Sequence, residues 1–121
     1  MILRSTIAFL GLILLMGAAC AQTIDTGEFA ASPSQEGYSL HTGKGERVYT
    51  ETVAFLKGYQ DPPTVHVFLS GFDAKEDQAG TVRVRVSATK ISKTGFTLQI
   101  KTWGDGGVNS VWGAWMARGV R

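Results

Sequence analysis

The sequence predicts an all-β domain of short antiparallel strands, and three observations carry that prediction. Apolar residues recur with a period of two, most plainly at Val82, Val84, Val86 and Ala88, which alternate with Arg83, Arg85, Ser87 and Thr89. That period puts alternate side chains on opposite faces of a strand, one buried and one wet. Breaks rich in glycine or proline separate such stretches at regular intervals, the pattern of a sandwich or a barrel. After residue 21, no stretch sustains a helical period.

Taken in order, residues 1–21 read as a secretory leader. Arg4 supplies the positive start, Ile7 to Gly17 the apolar run, and Ala18, Ala19 and Ala21 the small residues of a cleavage site. The run is short for a membrane span and has no stop-transfer flank. Cleavage after Ala21 makes Gln22 the first residue of a mature domain, 22–121, which is then secreted, extracellular or periplasmic. Cys20 also fits the lipidated cysteine of a bacterial lipoprotein, although Gly17 stands where such sites usually carry leucine; only in that case does the protein sit on a membrane. The 121 residues suit one domain. Cys20 is the single cysteine, so the mature domain has no disulfide. The formal net charge of +2 falls to +1 when Arg4 is removed, which gives no general attraction to nucleic acid or an anionic membrane.

A sixth strand is expected from Thr23 to Phe29, ahead of five clearer ones. Residues 30–46 are polar and glycine-rich and read as a long surface loop. Val53 and Phe55 alternate with polar neighbours. Asp61-Pro62-Pro63 then interrupts the pattern, because proline donates no ladder hydrogen bond and restricts the residue before it. Val65, Val67 and Leu69 resume it, and the Val82–Ala88 run follows. Ser92-Lys93-Thr94-Gly95 is a turn. Phe96, Leu98 and Ile100 form a buried face, with Thr97, Gln99, Lys101 and Trp103 on the other. Gly104-Asp105-Gly106-Gly107 is a second turn, and Val111 to Ala117 forms the last strand.

Little here resembles catalytic machinery. His41 falls in the polar loop and His66 on the outward face of its strand, with no metal-ligand spacing between them. No nucleophile motif or phosphate-binding glycine loop is present. Asp73, Glu76 and Asp77 read as a solvated turn or as a calcium loop, though without the alternating oxygen ligands of the latter. A glycosidase pair could be proposed from the same carboxylates, and nothing sets them across a cleft. No cofactor, metal or enzymatic activity is expected. The tryptophans are more informative. Trp115 shares parity with Val111, Gly113 and Ala117 and is expected in the core. Trp112 is expected on the opposite face, against a neighbouring subunit. Trp103 ends a polar face at the edge of a turn, where its ring either stacks on a sugar or covers the end of the sandwich.

Asp61-Pro62-Pro63-Thr64-Val65, the Phe72-Asp73 corner, Val82-Arg83-Val84, Thr94-Gly95-Phe96, Thr102-Trp103 and Trp115-Met116-Ala117 follow one another in a fixed order, with Val53-Ala54-Phe55 upstream. Together they resemble the H-type lectin domain of invertebrate agglutinins and of the C-terminal part of discoidins, over about residues 47–119. The resemblance implies a six-stranded antiparallel β-sandwich that forms a homotrimer. It implies glycan binding at the subunit junctions, with galactose or N-acetylgalactosamine as the typical ligand and no catalysis. It sets the sugar-contacting arginine at Arg83 and the stacking tryptophan at Trp103. Gly104 and Asn109 stand where animal members carry a histidine and a tyrosine, and Asp105 and Asn109 are the polar residues left to complete the pocket. The family also takes an aspartate from a neighbouring subunit's loop, and residues 36–45 contain none. On this reading Gly104→His is expected to raise affinity for N-acetylgalactosamine. The competing expectation is a trimeric adhesion or interaction module with the same sandwich and no sugar site.

Overall fold

A computed structural model describes residues 21–75 and 80–121. The expected leader and the Cys20 lipidation site lie outside the described residues, as do Glu76 and Asp77 of the acidic cluster. Six strands form: β1 (Thr23–Ala31), β2 (Arg47–Ala54), β3 (Thr64–Ala74), β4 (Arg85–Thr89), β5 (Gly95–Thr102) and β6 (Val108–Gly119). They pair antiparallel into two three-stranded sheets, in the orders β1-β6-β3 and β2-β5-β4. The chain is therefore the six-stranded antiparallel sandwich that the sequence predicts.

The alternation in each strand decides which face is inside. In β5, Phe96, Leu98, Ile100 and Thr102 are buried, while Thr97, Gln99 and Lys101 point outward and stay partly exposed. Facing them from the other sheet are Phe29 and Ala31 of β1 and Val108, Val111 and Ala117 of β6. β6 lies at the centre of its sheet, and its two tryptophans take opposite faces. Trp115 turns inward and lies over Gly27, its cross-strand partner, where a Cβ would come within 2.5 Å of the indole. Trp112 turns outward over Gly71, its partner on β3, with the same 2.5 Å limit. Each glycine leaves the room in which a flat ring lies on the backbone.

Two expectations are corrected. The Val82–Ala88 run is not one strand, since only Arg85–Thr89 joins the ladder. β5 ends at Thr102, and residues 80–84 instead border the turn that follows it, with the Gly106 amide donating to the Thr81 carbonyl at 3.2 Å. The alternation persists all the same, with Val82 and Val84 packed on the core and Arg83 and Arg85 exposed. The 30–46 loop is also more than surface. Tyr38 and Leu40 insert from it into the core, and Leu40 is fully buried.

Candidate functional site

Trp103 is the first residue past β5, and the backbone turns there because the next residues permit it. Gly104, Gly106 and Gly107 are all buried, and the turn they make is stapled from within by Arg47. One terminal nitrogen of Arg47 donates to the carbonyls of Gly45 (3.0 Å) and Gly104 (3.1 Å). The other donates to those of Leu40 (3.4 Å) and Gly106 (2.9 Å). A single guanidinium thus ties the 40–45 loop to the 104–106 turn, using the donors that only arginine presents in a planar fork. The loop is further fixed to the start of β6. The Val108 amide donates to the Leu40 carbonyl at 2.9 Å, and the Tyr38 hydroxyl donates to the Val108 carbonyl at 2.7 Å. Burial pushes the Tyr38 phenol up to about 12, so it stays a neutral donor.

On this frame Trp103 keeps 37% of its surface exposed. It borders a cleft of about 270 Å³ whose other walls are Glu46, Arg85 and Lys101. Antiparallel pairing places Arg85 directly across from Lys101, which brings the Arg85 guanidinium over the Trp103 ring, 5.2 Å from its centre. Lys101 is paired with Glu46 at 3.1 Å. Within this surface an indole face, two cations and one carboxylate converge. Polarised C–H groups of a sugar ring are attracted to the negative face of an indole, and charged side chains beside it can hydrogen-bond the ring substituents.

The residues expected at the site are dispersed around this cleft. Arg83 is exposed and runs beside Gly104, where a Cβ would lie 3.7 Å from its Cγ. Asp105 is exposed and sits against Gly80 across the turn. Asn109 is exposed on β6, in the other sheet. None of these three lines the Trp103 cleft within one copy of the chain. Gly104 is buried, and a Cβ there would come 2.1 Å from the Thr81 carbonyl oxygen. No side chain can replace its hydrogen without moving backbone, which argues against the expected gain from Gly104→His. Sequence reasoning missed Glu46, Arg85, Lys101 and Arg47. Arg85 and Lys101 carried a signal, since both fall on the outward parity shared with Arg83 and Trp103. Arg47 and Glu46 carried none.

Elsewhere, His66 is exposed and its ring stacks with Phe68 at 6.3 Å, while His41 lies against Tyr38 at 5.8 Å. Asp73 accepts a hydrogen bond from the Ser110 hydroxyl at 2.6 Å. Among the described residues, no three His, Cys, Asp or Glu side chains converge on a point.

Comparisons with known proteins agree with this architecture. The chain is 34% identical over 84 residues to a protein of Fuscovulum blasticum named ATP synthase subunits region ORF 7, across 69% of this chain and 71% of that protein. Its fold is similar to two structures of discoidin II from Dictyostelium discoideum, one recombinant and one wild-type, with TM-scores of 0.67 and 0.68. Identity to each is 23%, and the similarity covers 83% and 84% of this chain but only 38% of either discoidin chain. This chain therefore spans well under half the length of those neighbours, and the likeness is one of fold. The model of the H-type lectin domain matches residues 50–118, which include β3, β4 and β5 whole together with Arg85 and Trp103. With more than half of its length matched, this chain belongs to the H-type lectin domain family.

Proposed function

We propose that this protein is an exported lectin that binds galactose or N-acetylgalactosamine glycans and catalyses nothing. The observation that carries the reading is Trp103, an indole left 37% exposed at the sheet rim beside a cleft with charged walls, in a chain of the H-type lectin family. Trp103 stacks on the sugar ring, Arg85 donates to its substituents from the cleft wall, and Arg83 reaches toward the same ligand from beside Gly104. Asp105 and Asn109 stand on the surrounding surface, where a second copy can bring them to the same ligand. Gly104 contributes backbone only.

Assembly into a homotrimer with sites at its junctions is part of the same proposal. The outer face of the β1-β6-β3 sheet supports it. Ile24, Phe68 and Trp112 are exposed there at 58%, 49% and 40%, and Met116 lies among them on β6. Clustered apolar surface of this kind marks protein contacts. A small sandwich without disulfides gains stability when such a face is covered. Weak single sites in a trimer also gain avidity on a glycan-coated surface.

The test is a glycan array with the exported protein, together with light scattering. Binding to terminal galactosides by a trimer is the expected result. A trimer that binds no glycan fits the interaction-module reading instead, and a monomer at micromolar concentration contradicts the assembly. Mass spectrometry addresses export: the chain is expected to start at Gln22 without lipid, and a diacylglyceryl mass on Cys20 contradicts that.

A further inference from the structure

We propose that the Trp103 cleft selects negatively charged glycans, those carrying a uronate carboxylate or a sulfate ester, and that Arg85 sets this preference. The inference rests on the lectin reading above and names the class of sugar that suits the site. Three features of the cleft carry it.

The first is how the walls are already engaged. Glu46 is the one carboxylate lining the cleft, and it is paired with Lys101 at 3.1 Å. A neutral sugar presents hydroxyls that donate as well as accept. It is best held by a site rich in acceptors, and here the single lining carboxylate already carries Lys101 on one of its oxygens.

The second is the posture of Arg85. Its guanidinium lies over the Trp103 ring, 5.2 Å from the ring centre. The N–H donors lie in the guanidinium plane and project from its edge. The Arg85 side chain makes no ion pair and no hydrogen bond among the described residues. An unengaged planar fork beside an exposed aromatic face matches a sugar that stacks through its C–H groups and carries a carboxylate or sulfate on the adjacent carbon.

The third is the surrounding charge. Arg83 and Arg85 are both exposed at this edge, and Lys101 borders it. Opposing them are Glu46, which Lys101 neutralises, and Asp105, which sits across the turn against Gly80. Among these five described side chains, three positive and two negative, the excess is positive and lies with Arg83 beside Gly104 and Arg85 over Trp103. Such a field favours anionic ligands.

The experiment uses calorimetry on the full mature protein with matched ligands: a galactoside, its galacturonate counterpart and its sulfated counterpart. The wild type is expected to bind the acidic members about fivefold more tightly, the size of one exposed charge pair. The preference is expected to shrink at roughly 0.5 M salt, where screening acts over a few ångströms. Arg85→Gln is expected to bring the acidic-to-neutral ratio near one. Glu46→Gln, a surface change that removes the competing carboxylate, is expected to raise the ratio. A preference confined to galacturonate, or one shared by the sulfate, supports the proposal and tells which anion fits the fork. Equal binding of neutral and acidic members by the wild type overturns it, as does a ratio that Arg85→Gln leaves unchanged in a folded variant. Binding of neither class overturns the lectin reading itself, a result distinct from both.

Discussion

The two ends of this sandwich are built on different terms. At the end where β5 begins, Phe55, Tyr59, Phe96 and Trp115 pack edge to face, with Phe55–Tyr59 centres 5.1 Å apart and Phe96–Trp115 centres 5.3 Å apart. A polar knot closes that end. The Tyr59 hydroxyl and the Arg121 guanidinium both donate to the Asp25 carboxylate, and Arg121 also lies over the Tyr59 ring, 4.5 Å from its centre. At the other end, where β5 gives way to Trp103, closure depends on Arg47 and on carbonyls. The buried polar atoms with no partner among the described residues, His41 Nδ1, Arg47 Nε and Thr102 Oγ1, all lie at or beside that end. An end held by aromatic packing is close-packed, so even a small loss of volume is felt there. One held by a glycine turn and one guanidinium leaves its ring exposed and its neighbours unspent, as a ligand site requires. Aromatic packing and the exposed indole thus occupy opposite ends of one core.

That contrast can be broken most forcefully at the closed end. Trp115→Ala removes a ring that touches Phe55, Phe96 and the backbone at Gly27. The expected cost is ~3–5 kcal/mol, read from urea melts. A loss under about 1 kcal/mol would show that this end does not anchor the fold.

Gly104→His comes next, at the open end. The clash with the Thr81 carbonyl forces backbone apart, with an expected cost of about 2 kcal/mol. Sugar binding is expected to fall as the turn that carries Trp103 moves. A histidine variant that melts with the wild type and binds more tightly would mean that the turn is softer than its packing implies.

A smaller effect separates the ends by pH. The hydrogen bond from Tyr59, reinforced by Arg121, holds the Asp25 carboxyl below the usual carboxylate range. A carboxylate whose folded pKa is depressed stabilises the fold above its unfolded pKa, near about 3.9, and that contribution fades as pH falls through the folded value. Asp25→Asn is therefore expected to cost about 1–2 kcal/mol at neutral pH. The gap from the wild type should narrow steadily below about pH 4. A gap independent of pH would mean that the knot is held by packing rather than charge.

Much of this contrast was legible in the sequence, and the parts that were not have physical causes. The strands announced themselves through alternation, and parity alone placed Trp115 inward and Trp112 outward, as the pairing of β6 shows. Parity also put Arg83, Arg85, Lys101 and Trp103 on the outward faces of their strands. It could not say which arginine meets the indole, because that depends on cross-strand register, and register is fixed by the Ser92–Gly95 turn and by where the ladder ends. The burial of Leu40 and Tyr38 was hidden for another reason: a loop that dives into a core has no period to detect. The role of Arg47 was hidden because its partners are carbonyls, which every residue carries. Gly104 read as a missing histidine, when in fact the carbonyl of Thr81 occupies the space a side chain would need.

The central claim is that Trp103 serves binding and not folding. Its most direct test is retention of Trp103→Ala on an immobilised galactoside column, alongside its urea melt. Because Trp103 is exposed at the rim, outside the core cluster, and meets Arg85 on its ring, the variant is expected to lie within about 1 kcal/mol of the wild type, as for surface substitutions, and to pass through the column unretained. A variant that unfolds as readily as Trp115→Ala, or one that folds and is still retained, contradicts the account.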